Sequence, residues 1–553
     1  MDWFKGLCRR NRVSETTNPN LIKSLPYNPA LETADEYKAR WISIRIIYFT
    51  MFLMSLGFSI ILTGVWPYLQ KVDEYARKDF MGYIVAANPL AQMLFSPLVG
   101  WIANKLGSSR LPLLGSLGLF TFASGLYSVI ALLPSHHKYW MLVSRFLIGM
   151  SSANIAVARS YLSAATTTEE RTGAVSMVSL AQVLGFIVGP ALQAAVTPLG
   201  DEGYMLWNFL PLDMYTAAGW INVFLSIINF CLFLPGIFEE RKIAAKEIMI
   251  LQGKTSERET WKAIKPDKVS AWTLIGAFFV LVFHFVLLET LGTPLVMDQF
   301  AWTREEAVKY MGILMAVGAA IACISFLLIK PLSAVFEERK VLIFGGFLLM
   351  ALAALSCLPM GSEPPKLAYP DNFNGTLDRY NNTIRVEDPE LGCPIEQEWC
   401  ATTNALLLGQ FLFGYTLTSF GYPIGVTLIQ TIFSKILGPR PQGTWMGILT
   451  GAGCFSRVLG PIFISFVYTR FGTYYTFGSI AGLMIACMIW LWIVRDKLVP
   501  PVYQKTMTEM VEIVSPHRQP INTQILNKKT ENNVKDVDQS INLLKNEDDD
   551  DKS

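Results

Sequence analysis

Apolar residues along this chain gather into runs of roughly 20, the length a helix needs to cross the ~30 Å hydrocarbon layer of a bilayer. Twelve such runs fall near 45–69, 80–103, 111–133, 139–162, 172–196, 216–237, 271–296, 308–330, 340–360, 403–433, 443–468 and 472–495. The pattern predicts an all-α polytopic membrane protein with twelve transmembrane helices. The polar stretches between them divide the chain into a tail (1–44), a six-span half (45–237), a central link (238–270), a second six-span half (271–496) with a long loop at 361–402, and a polar tail (497–553). That last segment ends "NEDDDDKS" and reads as disordered.

Composition agrees: of 553 residues, 52% are hydrophobic and 16% charged, and the mean hydropathy is +0.36. The net charge of +2 is spread over loops rather than gathered into a basic patch, which excludes a nucleic-acid partner. The first 40 residues are polar and basic, so no cleavable signal peptide is expected and the first span serves as the insertion signal.

Orientation follows from Lys and Arg placement. The N-terminal tail through Arg45 carries eight, and the central link, residues 239–268, another eight. Loop 361–402 has three, Lys366, Arg379 and Arg385, against eight acids. Both termini and the link are therefore expected in the cytosol, and the acidic loop in a lumen or outside the cell. That loop holds two glycosylation sequons, at Asn374 and Asn381. It also holds Cys393 and Cys400, for which a disulfide closing a short loop and two free thiols are the alternatives.

The chain repeats. "RFLIG" at Arg145 recurs as "QFLFG" at Gln410, and "FIVGPA" at Phe186 as "RVLGPI" at Arg457. "GVWPYL" before "MGYIV" is matched by "LGTPLV" before "MGILM". Two six-helix halves in the same order result.

This layout resembles the major facilitator superfamily, and shorter motifs point the same way. "GWIANKLGSSR" is similar to its loop after span two: Gly100, Lys105, Gly107 and Arg110 match, while Asn104 replaces an acid. "RFLIGMS" resembles the span-four motif, and "GFIVGP" supplies Gly185, Gly189 and Pro190 of a span-five signature associated with antiporters. Small residues four apart let helices approach closely, so packing explains this last motif as well as hinging does. Gly460 and Pro461 stand at the equivalent place in the second half. Longer stretches, "ETLGTPLVMDQFAWTREEAV", "GCPIEQEWC" and "SKILGPRPQG", resemble a lysosomal branch of that superfamily. The resemblance implies the superfamily fold, a glycosylated lysosomal membrane protein and transport, with chloride conduction proposed for the branch. The plasma membrane is the alternative address.

Four ionisable residues interrupt the spans: Arg145, His284, Glu289 and Arg457. Each costs on the order of 2.5–3.5 kcal/mol at bilayer depth and so faces a cavity or a partner. By the internal repeat their counterparts are Gln410 for Arg145, Leu62 for Glu289 and Phe186 for Arg457, so none of these three charges is duplicated. A charge needed only by the fold is expected in both halves, and the asymmetry points to function. A single static ion pair is the structural alternative. Glu289 reads as a proton acceptor, with burial and a nearby arginine acting on it in opposite directions. The forked, permanently charged arginines suit an anion. His284 lies five residues before Glu289, about 140° around the helix, so the two do not share a face.

Gly292 and Pro294 predict a broken or bent end to span seven, and Gln410, Tyr415 and Asn154 are further cavity candidates. Zinc-ligand spacings, a nucleophile elbow and a phosphate loop are not found, so neither an enzyme nor a cofactor or metal is expected. The sequence points to a secondary transporter of a small solute or anion, with chloride and protons among the candidates. The alternatives are a chloride-permeable channel on the same fold and a non-transporting receptor or scaffold.

Overall fold

The computed structural model describes residues 28–73, 78–200, 203–206, 210–251, 256, 257, 259, 261, 266–368, 376, 377, 383, 384 and 391–500. Among them, ten helices are long and apolar enough to cross a membrane, and a shorter apolar helix, Thr216–Leu232, joins them. One of the ten, Gly443–Lys497, contains two spans separated at Gly472, where φ is +82° and the helix breaks. All twelve predicted spans are thus helical. Spans one to three are Ala34–Val72, Lys78–Leu106 and Arg110–Ser128. Span four is two helices, His137–Ser151 and Asn154–Ala165, and spans five and six are Glu170–Val196 and Thr216–Leu232. Spans seven to ten are Lys268–Phe300, Arg304–Val335, Glu338–Ser356 and Leu408–Leu437. Spans eleven and twelve share Gly443–Val494.

Local sequence sets where the helices begin. Thr33 and Glu36 form a capping box before span one, and Thr303 and Glu306 form another before span eight. In the second, the Thr303 hydroxyl accepts the Glu306 N–H at 3.2 Å and the Glu306 carboxylate accepts the Thr303 N–H at 3.0 Å, which satisfies two otherwise unpaired donors.

Glycine then sets the packing within each half. A Cβ on Gly185 or Gly189 would collide with the span-one backbone near Phe52 and Ile60, so the "GFIVGP" motif presses span five onto span one. In the second half, a Cβ on Gly453 would stand 2.6 Å from Phe278, and one on Gly460 2.7 Å from Val286, which seats span eleven on span seven. Pro190 and Pro461 lie inside continuous helix. The expected break in span seven is not found: the helix runs through Gly292 and Pro294 and ends at Phe300, where Ala301 turns left-handed. One missing backbone donor does not stop a helix whose neighbours pack on both sides. Gly292 instead admits Met311 of span eight, whose Cε would be 2.7 Å from an added Cβ.

The two halves meet on the side of the central link. Span two crosses span eleven so closely that a Cβ on Gly100, Gly443 or Gly447 would strike the opposing backbone. Asn104, which replaces the motif's acid, spends both ends of its amide here. Its oxygen accepts the Gly443 N–H at 2.8 Å and its nitrogen donates to the Thr444 hydroxyl at 3.0 Å. Spans five and eight make the pseudo-symmetric contact, with Ser176 donating to the Phe326 carbonyl and Gly173 against the Lys330 stem. Ser163 donates to Gln442 at 2.8 Å, Arg171 reaches the Ser434 carbonyl at 3.3 Å, and Lys435 joins Glu338 at 2.8 Å and Thr172 at 3.2 Å. Among the described residues, the innermost hydrogen bond between the halves runs from Arg159 to Thr450. Apolar packing also joins the halves, with Ala156 and Leu180 of the first set in the core of the second, so the link side is closed.

The opposite side carries the bridge Cys393–Cys400. Trp399, inside that loop, lies over Gly472 at the turn between spans eleven and twelve, and meets the Tyr468 ring edge-on at 5.2 Å. The Tyr468 hydroxyl donates to Asp298 at 2.9 Å, and the Gln299 side chain accepts the Leu406 N–H at 2.8 Å, tying the loop to the end of span seven. Asn374, Asn381, residues 1–27 and residues 501–553 lie outside the described residues.

In the first half the same side is held by Lys71 and Asp213, 2.7 Å apart, with Asp213 almost wholly buried. Burial alone pushes the Asp213 carboxyl up, but the Lys71 ammonium and the Thr216 and Tyr215 N–H groups outweigh it and hold the carboxyl below its ordinary range. A depressed folded value gives stability that is present above the ordinary carboxylate range and lost only as pH falls through the folded value. Asp213→Asn is therefore expected to cost about 1–2 kcal/mol equally at pH 7 and pH 5. Thermal unfolding of the purified protein at both pH values checks this, and a cost seen only at pH 7 contradicts it.

Candidate functional site

At the innermost point of contact between the halves, three elements bring charge together. Span four contributes Arg159, whose guanidinium donates to Gln182 of span five at 3.3 Å and makes a long 3.5 Å contact with Thr450 of span eleven. Span eleven contributes Thr450, Cys454 and Arg457, whose spacings of four and three put them on one helical face. Span ten contributes Tyr422, which interacts electrostatically with both arginines. Cys454 also lies within the field of both arginines.

Span seven fixes the rest. Phe285 stacks on Tyr422 with ring centroids 4.2 Å apart and planes 17° from parallel, which holds the phenol in place. One turn later on the same face comes Glu289, exposed and acting electrostatically on Arg457 and Tyr422. The cluster thus holds two fixed positive charges, one from each half, and one carboxylate. Arg457 and Arg159 are partly buried, and Arg159 Nε is enclosed with no hydrogen-bond partner among the described residues. Such a set can bind an anion between the halves, and the carboxylate can take up or release a proton beside it.

Of the residues singled out from sequence, Glu289 and Arg457 fall in this cluster and the others do not. Arg145 is fully buried inside the first half, with its guanidinium 5.3 Å from the Phe58 ring and none of its three nitrogens hydrogen-bonded among the described residues. His284 is buried in the core of the second half, with no hydrogen-bond partner for Nδ1 among the described residues. Asn154 begins the second helix of span four, completely enclosed rather than lining a cavity. Gln410 has its amide committed elsewhere: it accepts the Leu407 N–H at 3.1 Å and donates to the Ser356 and Leu358 carbonyls, both at 3.2 Å, which caps span ten and ties it to span nine. Tyr415 is half-buried against Gly318 of span eight.

The loop motif stays mostly within its own half. Lys105 lies 5.1 Å over the Trp101 ring, Gly107 turns with φ +66°, and Arg110 donates to the Phe233 carbonyl at 2.6 Å. Only Gly100 and Asn104 reach across.

Arg159 was not among the charges singled out from sequence, although it stands within the expected span 139–162, three residues before its end. The helix continues to Ala165 and draws Arg159 inward. Gln182, Tyr422 and Thr450 carry no distinguishing signal, since uncharged polar residues are common in spans.

Comparison with known proteins bears on this geometry. The family model described as Major Facilitator Superfamily matches residues 47–369 and 399–529. Major facilitator superfamily domain-containing protein 8 of Xenopus laevis is 39% identical over 492 residues, covering 87% of this chain and 96% of that protein. Among solved structures, the human organic anion transporter MFSD10 (TETRAN) aligns with a TM-score of 0.55 at 16% identity, over 82% of this chain and 99% of its own. The Fucose:proton symporter FucP of E. coli aligns at 0.57 and 14% identity, over 82% and 98%. At such identities these two structures speak to the fold alone. With the family model matched along most of its spans and one relative similar over nearly its full length, this chain belongs to the Major Facilitator Superfamily.

Proposed function

We propose that the protein is a secondary transporter that binds a small anion between Arg159 and Arg457 and carries it across a lysosomal membrane by alternating access, with proton movement linked through Glu289. The observation that carries this reading is the placement of one arginine in each half, both acting electrostatically on Tyr422. An anion held by both is bound by the interface that must rearrange during transport, so binding and rearrangement are coupled.

The closed link side favours a carrier over a chloride-permeable pore. Asn104, Ser163, Arg171 and Lys435 all bond across the interface there, which is the closure a carrier needs at one end of its cycle. A pore needs a polar path open at both ends. In this reading both termini and the link are cytosolic, and the disulfide loop with sequons Asn374 and Asn381 faces the lumen. The Lys and Arg distribution supports that orientation.

Glu289→Gln tests the proton link. On enlarged lysosomes under an imposed proton gradient, the wild type is expected to move protons together with anion, and the glutamine variant to move anion without them. Proton flux that persists in the variant would remove Glu289 from the coupling step.

A further inference from the structure

Resting on that reading, we infer that the preferred substrate carries two negative charges and is transported together with one proton. With Glu289 ionised, its carboxylate offsets one of the two arginines, and the site balances a single negative charge. With Glu289 protonated, both guanidinium groups are uncompensated and the site balances two. A site crossing a low-dielectric barrier is favoured when its charges cancel, because an uncompensated charge in that setting costs several kcal/mol. The proton on Glu289 and the second negative charge on the substrate therefore arrive together.

The geometry supports two separate anchoring points rather than one. Arg159 bonds Gln182 at 3.3 Å and touches Thr450 at 3.5 Å in one half's contact with the other, while Arg457 interacts electrostatically with Tyr422, whose ring is clamped by Phe285. Each guanidinium keeps donors for one anionic group, and a planar fork matches a carboxylate or phosphate in two parallel bonds. A monoanion engages one arginine and leaves the other bare. Among the charged and titratable groups, Glu289 acts electrostatically on Arg457 and Tyr422, and Cys454 lies within the field of both arginines.

The test uses the full chain in proteoliposomes at an external pH of about 7.5, where succinate and phenyl phosphate are dianions, with a more alkaline interior, radiolabelled succinate as probe and a pH dye inside. Unlabelled succinate, phenyl phosphate, butyrate and chloride serve as competitors. Succinate or phenyl phosphate is expected to compete about tenfold more strongly than butyrate or chloride, corresponding to one additional charge-assisted bond. Which of the two wins separates a dicarboxylate from a phosphate ester, and one proton should enter per dianion. Arg159→Gln should abolish the preference for dianions, whereas Arg159→Lys should retain part of it, and thermal unfolding of both variants confirms that they fold. Competition by butyrate as strong as by succinate would overturn the two-charge inference and leave the anion transporter standing. No exchange of any probe in a folded wild type would overturn the transporter reading itself.

Discussion

Replacing Arg159 with glutamine is expected to lower anion transport by about 10- to 100-fold while leaving the bundle folded. The side chain makes only a 3.3 Å bond to Gln182 and a 3.5 Å contact to Thr450, so little of its donor capacity is spent on the protein. Losing a charge-assisted pair to substrate costs roughly 1.5–3 kcal/mol, which corresponds to that range in rate. The loss should appear mainly in KM if Arg159 binds substrate equally in all states, and in kcat if it acts only as the halves rearrange. Uptake measured across a range of anion concentrations separates the two. Transport unchanged within twofold would remove Arg159 from the site. Arg457→Gln should behave alike, because the two arginines hold the anion jointly, and the double variant should lose little beyond either single one.

The second large effect concerns closure. Gly100→Leu puts a side chain where a Cβ already meets the Gly443 carbonyl, and neither backbone is free to retreat from a helix crossing this close. Overpacking of this kind costs about 1–3 kcal/mol, but only in the conformation that brings spans two and eleven together. The variant should therefore fold and yet occupy the link-closed state about 5- to 150-fold less. A cysteine at Ser163, buried in this interface beside Gln442, reports the change. In Ser163→Cys alone it should react slowly with a water-soluble maleimide, and with Gly100→Leu added it should react at least several-fold faster while transport falls. Equal reactivity in both would mean that the span-two crossing does not hold the link side shut.

Much of the architecture was legible in the sequence because it rests on two strong signals, span length and internal repetition. Even the pair of spans that run together as Gly443–Val494 was separable, since Gly472 marks the break. Span boundaries were less legible, because helices extend past the apolar run wherever polar residues find partners, as span four does through Ala165. Arg159, three residues before the expected end of that span, was not singled out. Gly292 and Pro294 misled in the opposite direction: their composition suggests a broken helix, yet the space left by Gly292 is filled by Met311 and the helix continues.

The candidate site was half legible. Glu289 and Arg457 announce themselves as charges in apolar runs, but so do Arg145 and His284, which the fold buries within single halves. Sequence gives the cost of such a residue without saying which face of its helix meets the other half. Asn104 illustrates the same limit. The missing acid was visible, whereas its replacement by an amide bonded to both Gly443 and Thr444 depends on which helix end lies opposite.

Counterflow tests the central claim most directly. Proteoliposomes containing the full chain are loaded with unlabelled succinate and diluted into a trace of labelled succinate, with phenyl phosphate run in parallel. An anion site alternating between two closed ends predicts that label accumulates transiently above its external concentration, and that Arg457→Gln abolishes the overshoot. Label that only equilibrates, at a rate indifferent to the anion inside, would contradict alternating access and point to an open path through the protein.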